Sequence, residues 1–392
     1  MLLLALLRHG PSDFGKLSGR SDFGELSGRS DLGESSDPSY LTGRQRFPAQ
    51  ATSQDWVDAL ALARINGVVA LLHETARQGS QAARESPQAA RELPEPARLF
   101  LRRARVGGIA EAQRWQRALG RVATALGGLR FAVIKGGDFA FSLYAAPELR
   151  PHADLDLLVA AKDFQTACAR LSAAGYAHHP AVRSGPESRP GWHERTLLDP
   201  ADPLSEIDLH QRFAQPGRSR LDTAALLSRS LPADDLAPGA RRLTPEDAAL
   251  AFSASFATHE LRVPLLTLCD LSRLLPRCDA TLLAQRAREA RLAHPLWAAL
   301  ELLLRIAPAG NLAGARFSPQ AARALAESLG LGVLARRGLS LAAAAWNLER
   351  RPQRRLGKLA RKALLIDHPL DAARFAAACL RASLVAAHPA PK

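Results

Sequence analysis

Two short strings carry side chains able to do chemistry: Ala153–Val159 (ADLDLLV) and Glu206–His210 (EIDLH). Each reads as a β-strand, because apolar and acidic residues alternate with the period of two that sends successive side chains to opposite faces. In the first, Asp154 and Asp156 share a face, while Leu155, Leu157 and Val159 take the other. In the second, Glu206, Asp208 and His210 share a face, while Ile207 and Leu209 point inward. If the strands are neighbours, Asp154, Asp156 and Asp208 converge. Three carboxylates in a small volume repel one another and cost free energy unless a cation neutralises them. Such a cluster suits a hard, oxygen-loving cation, Mg²⁺ or Mn²⁺. His210 either orients a metal-bound carboxylate from just outside the ligand set or is a structural histidine. Glu206 flanks the site, and His152 reads as a rim residue.

The elements that must position these groups lie in Leu129–Phe213, the only part of the chain with strand character. Arg130–Lys135 (RFAVIK) reads as a buried strand, Gly136–Gly137 as a turn, and Phe139–Tyr144 as the start of a short helix that Pro147 ends. Small residues at such a turn let backbone amides approach a phosphate, and the helix N-terminus adds its positive end. The plainer reading of Gly136 and Gly137 is an ordinary turn. Asp138 follows the glycines. An acid aimed at phosphate would oppose binding, so Asp138 is expected to face solvent or cap the helix. Lys162–Ala174 reads as a helix closed by Gly175. Trp192–Leu198 and Leu204–Phe213 read as hairpin partners around Asp199–Pro203.

The order strand, Gly-Gly, helix, Asp-x-Asp strand and a later strand with one more Asp resembles the core of the DNA polymerase beta-like nucleotidyltransferases. The run IKGGDFAFSLY…ELRPHADLDLLV…EIDLHQRF is more closely similar to a bacterial branch of uncharacterised nucleotidyltransferases, over most of residues 53–280. The string THELRVPLLTLCDLSRLL, with His259 and Asp270, resembles that branch's helical region. The resemblance implies metal-dependent transfer of a nucleoside monophosphate from an NTP donor to an acceptor hydroxyl. Its implied two-metal site holds ions roughly 3.5–4 Å apart. Asp154 and Asp156 would bridge both ions, and Asp208 would bind the acceptor-side ion and take the acceptor proton. Gly136, Gly137 and the following helix would hold the β- and γ-phosphates, with Lys135 and Arg150 neutralising their charge. His259 and Asp270 lie eleven residues apart, about three helical turns, so they could share a face in a structural or substrate-side role. The acceptor stays open between a small molecule, a peptide or protein, and RNA.

At 392 residues the chain has room for two or three packed units. The expected fold is α+β: a small mixed sheet flanked by helical regions. The divisions read as 1–52 (a leader helix and an insertion), 53–126 (helical), 127–220 (catalytic core) and 221–392 (helical). Residues 12–29 hold a nonapeptide tandem repeat, SDFGKLSGR then SDFGELSGR. It has too few apolar residues and copies to bury a core, so it reads as a disordered insertion. The net charge of +14 suits an anionic partner, or reflects an Arg-rich composition alone. Aromatics make up only 5% of the chain and do not interleave with the Arg-rich tail, which weakens a reading as a nucleic-acid-binding helical protein. Cys168, Cys269, Cys278 and Cys379 lack zinc spacing and read as free thiols of a reducing compartment. With no apolar run of ~18 residues, and with a start, Met1–Arg8, that lacks the basic leading region of a signal peptide, a cytoplasmic protein without a membrane partner is expected. The alternative to an enzyme is an inactive nucleotide- or partner-binding regulatory module of the same fold.

Overall fold

The two acidic strings lie at the centre of a seven-stranded mixed sheet of order β3-β4-β5-β2-β1-β7-β6. Its strands are β1 (Phe131–Val133), β2 (Asp154–Val159), β3 (Ala177–His178), β4 (Glu194–Asp199), β5 (Asp202–His210), β6 (Leu231–Pro232) and β7 (Ala240–Arg242). β2 pairs antiparallel with β1 and parallel with β5, and β4 and β5 form the expected hairpin. This computed structural model describes residues 3, 7, 53–75, 77, 95–178, 194–213, 218–259, 261–344, 346, 364–368 and 371. The nonapeptide repeat and Cys379 lie outside them.

The sheet is covered on both faces, and the alternation along each strand decides which residue meets which layer. Phe131, Val133, Leu155, Leu157, Val159, Ile207 and Leu209 join one apolar cluster. Two helices cover it, α1 being Ser53–Ile65. The first is α2 (Glu95–Leu126), whose Trp115, Leu119, Val122 and Leu126 recur at helical spacing. The second is α4 (Phe164–Ala173), which contributes Phe164, Ala167 and Leu171. Ala132, Ile134 and Leu158 turn the other way into a second, larger cluster. Leu155, Leu157, Ile207 and Leu209 are all at most 1% exposed, and each such side chain contributes about 1.5–3 kcal/mol on burial. A one-residue slip of β2 or β5 would exchange those side chains for carboxylates, so burial of the leucines fixes where the acids stand.

The second cluster is the helical region. Its first sheet-contacting helix is α3 (Lys135–Ser142), and α5 (Thr223–Arg229) follows β5. Then come α6 (Pro245–Thr258), α7 (Leu265–Leu274), α8 (Ala280–Glu289), α9 (Ala293–Ile306), α10 (Pro319–Ser328) and α11 (Val333–Ala344), with a small β8–β9 hairpin (Asn311–Leu312, Ala315–Arg316) between α9 and α10. α6 starts where Thr244-Pro-Glu-Asp247 predicts: the Thr244 side chain accepts from the Asp247 amide and Pro245 sits in the first turn. It is buried on nearly every side, as its run of Ala and Phe demands. Leu3 and Leu7 are helical and buried in this same cluster. Among the described residues no helix is long and apolar enough to cross a membrane.

The Arg/Ala/Leu stretch before β1 is one continuous helix of 32 residues. Two local expectations change. The glycines belong to the first turn of α3, not to a separate turn ahead of it. The sheet also recruits β6 and β7 from beyond Phe213, with β7 parallel to β1. β7 is three residues long and two of them are arginines, so no alternation marks it in the sequence. Pairing with β1 on one side and β6 on the other makes it a strand.

Candidate active site

The register of β2 on β5 sets Asp156 opposite Asp208, Asp154 opposite Glu206 and Leu158 opposite His210. The β4–β5 hairpin then sets Thr196 beside Asp208 and Glu194 beside His210. Ligand atoms of Asp156, Asp208 and His210 all lie within 4.8 Å of one another. His210 Nε2 donates to Asp156 Oδ1 at 2.7 Å, and Thr196 Oγ1 donates to Asp208 Oδ1 at 2.6 Å. His210 Nδ1 lies 3.3 Å from a Glu194 carboxylate oxygen but is too poorly aligned for a hydrogen bond. The sequence-derived trio therefore meets with a difference. Asp156 and Asp208 form the tight group with His210, and Asp154 stands beside it, within electrostatic reach of both.

Repulsion among the acids is resolved by charge placement. Lys135 Nζ lies 2.5 Å from Asp156 Oδ1 and 3.4 Å from His210 Nε2. Burial works against ionisation of Asp156, but Lys135 and His210 outweigh it and hold its carboxyl well below the usual carboxylate range. Burial pushes the Asp154 carboxyl up to about 7, helped by the nearby Asp156 and Asp208 charges and opposed by Lys135 and Arg150. Burial also raises Asp208, against the stabilising Thr196 hydrogen bond. For Lys135, burial disfavours the charged form, yet Asp156 and Asp154 more than compensate and raise it. One carboxylate is thus paired with the lysine, and the next holds a proton near neutrality.

The lysine reaches the acids through an uncommon backbone. Lys135 has φ +50°, a left-handed conformation that costs a residue with a Cβ roughly 1–2 kcal/mol. Such strain concentrates at functional sites. Ile134, the cap residue of α3, offers no side-chain acceptor to the first-turn amides. The N-terminus of α3 thus has no side-chain cap from Ile134, and its first residue, Lys135, reaches Asp156.

Gly136 is required by close approach. A Cβ there would stand 2.2 Å from Arg150 Nη1 and 2.7 Å from His152 Cβ. At Gly137 a Cβ would stand 3.0 Å from Leu155 Cδ1 and from Val133 Cγ1. Arg150 is committed elsewhere as well: Nε and Nη2 donate to the Asp270 carboxylate at 3.3 and 2.8 Å. Tyr144 Oη donates to Asp270 Oδ1 at 2.7 Å, and Asp270 is 1% exposed. His152 is buried, stacks on Trp115 at 5.1 Å and has its carbonyl held by the Trp115 indole N–H. Burial and the nearby Arg150 charge lower the His152 imidazole to about 4.

Other sequence expectations change here. Asp138 is neither solvated nor a helix cap: it is buried and accepts from Arg242 Nε of β7 at 2.9 Å. β7 could not be foreseen, so neither could this partner. His259 and Asp270 do not share a helix face, because α6 ends at His259 and Asp270 lies on α7. His259 is exposed while Asp270 is buried. Thr196, Glu194 and Tyr144 were not singled out from the sequence. The hairpin parity would have found the first two, since β4 residues facing Asp208 and His210 must share their face. Nothing local signals Tyr144, whose partner is 126 positions away.

Residues 52–307 match the model of a family described as uncharacterised nucleotidyltransferase. No curated protein and no solved structure matches the chain.

Proposed function

The chain belongs to this uncharacterised nucleotidyltransferase family, and from that premise we propose that it transfers a nucleoside monophosphate from an NTP to an acceptor hydroxyl. The observation that carries the reading is the register of Asp156 on Asp208, with the uncapped N-terminus of α3 tied to it through Lys135. The donor set of two close carboxylates, an adjacent third and an imidazole fits a divalent ion, Mg²⁺ or Mn²⁺. Asp154, Asp156 and Asp208 would hold it, with His210 orienting Asp156. When bound, such ions supply Lewis-acid activation of the acceptor oxygen and neutralise charge on the phosphates.

The remaining roles fall to the chain itself. Asp208, its carboxyl kept more basic than usual by burial, would take the acceptor proton. Gly136 and Gly137 bring the first amides of α3 against the β- and γ-phosphates. Arg150 adds directed N–H donors at Gly136, and Lys135 exchanges its contact with Asp156 for a phosphate oxygen. The acceptor is a small molecule, a peptide or protein, or RNA, in the cytoplasm.

A second reading rests on Lys135. An ammonium 2.5 Å from Asp156 is a built-in counter-ion, which a module that binds nucleotide or a partner without turnover could keep in place. The experiment is calorimetric titration of Mg²⁺ with each non-hydrolysable NTP analogue into the wild type and the Asp154→Asn/Asp156→Asn double variant. Metal-dependent binding lost in the variant supports the transferase and names the donor. Nucleotide binding that ignores both metal and substitution supports the module. Absence of nucleotide binding by the folded protein refutes both.

A further inference from the structure

Asp270 is a buried acid outside the carboxylate cluster, on a helix beyond the sheet. Its carboxylate is fully engaged, by Arg150 on one side and Tyr144 on the other. The ring of Tyr144 is in turn covered by Arg273, whose guanidinium carbon lies 4.3 Å from the ring centroid. Arg273 is itself fixed through the Cys269 and Ala313 carbonyls. A chain of contacts therefore runs from the β8–β9 turn and α7 to one guanidinium, and that guanidinium lies against Gly136.

A guanidinium has five N–H donors. Asp270 takes one from Nε and one from Nη2, and the Pro151 carbonyl lies 3.3 Å from Nη1. One N–H on Nη1 and one on Nη2 remain, and Nη1 is the nitrogen over Gly136. An arginine on a flexible stem is a weak clamp. One whose plane is locked by a bidentate carboxylate presents its remaining donors without further ordering cost. The carboxylate also cancels charge, so burying it beside a phosphate-binding arginine is favourable only if orientation matters more than charge.

We propose that Asp270 is a positioning residue that, with Tyr144, locks Arg150 over Gly136 so that its remaining N–H donors grip the terminal phosphates of a triphosphate. The helical region thereby completes the donor pocket. This rests on the nucleotidyltransferase reading, and its probe carries no base: inorganic tripolyphosphate, titrated calorimetrically into the full chain with and without Mg²⁺.

Positioning and charge compensation predict opposite signs. Asp270→Asn weakens tripolyphosphate binding about tenfold if the carboxylate orients Arg150, and strengthens it if the carboxylate merely offsets the guanidinium charge. The loss must pass through Arg150: in an Arg150→Lys background, Asp270→Asn costs no further affinity. Tyr144→Phe, which keeps the ring and removes one hydrogen bond, gives a smaller loss that also vanishes in the Arg150→Lys background, so the idea survives testing even if Asp270→Asn fails to fold. Unchanged or tighter binding in Asp270→Asn, or equal losses in both backgrounds, overturns the positioning role while leaving the transferase reading intact. No tripolyphosphate binding by the wild type, with or without Mg²⁺, overturns both.

Discussion

Replacing Gly136 by Ala tests whether the phosphate turn, Arg150 and Asp270 are one unit. The added methyl would meet Arg150 Nη1 at 2.2 Å and His152 Cβ at 2.7 Å, and neither neighbour can retreat cheaply. The guanidinium would have to move by roughly 1 Å to restore van der Waals contact, which breaks its alignment on Asp270. The His152 backbone is pinned by Trp115. Removing a partner from a buried charge pair costs about 3–5 kcal/mol. Against this, Ala is better than Gly inside a helix by about 1 kcal/mol. The expected net loss is therefore about 2–4 kcal/mol, read by urea denaturation at neutral pH, with tripolyphosphate affinity lost in parallel. Gly137→Ala is the control. Its methyl meets only the ends of two side chains at 3.0 Å, and the helix gain offsets part of that crowding, so its stability should change by no more than about 1 kcal/mol. If Gly136→Ala is as stable as Gly137→Ala, Arg150 is not held as described and the argument for a locked clamp is wrong.

Asp156→Asn removes the acid that both Lys135 and His210 hold. It should abolish metal-dependent nucleotide binding, whereas Glu206→Gln should leave it within twofold; isothermal titration with Mn²⁺ checks both. Thr196→Val deletes the donor to Asp208 and should lower stability by about 1–2 kcal/mol, seen in the same urea experiment. Burial outweighs the Arg242 guanidinium and raises the Asp138 carboxyl to about 6 from 3.8. An acid raised on folding favours the native state below its unfolded value, and that contribution disappears as pH climbs through the folded value. Relative to Asp138→Asn, the wild type should thus lose about 2 kcal/mol between pH 4 and pH 7; a flat difference across that window would contradict the burial argument. Cys269 is fully buried and its thiol is pushed up to about 12. It should resist iodoacetamide at pH 8 in the native protein and react on unfolding, as peptide mass mapping would show.

The sequence by itself determined the α+β class and the strands that carry the acids. Alternation within ADLDLLV and EIDLH is a local property, and burying Leu155, Leu157, Ile207 and Leu209 leaves Asp154, Asp156 and Asp208 one face to occupy. The close backbone approach at Gly136 and Gly137 was legible too, since small residues next to a strand end mark one, but their place inside the first turn of α3 was not. Tertiary structure alone decided the partners. Lys135 reads as a phosphate ligand in the sequence, and only the fold shows its ammonium paired with Asp156. Arg150 reads the same way, and α7 brings Asp270 to its guanidinium while Tyr144, just past the end of α3, donates to that same carboxylate. Asp138 found Arg242 only because β7, too short and too polar to show a pattern, completes the sheet beside β1. Periodicity reports which face a side chain takes. Which charge waits on that face depends on contacts between segments 21 to 120 residues apart, and no local pattern encodes those.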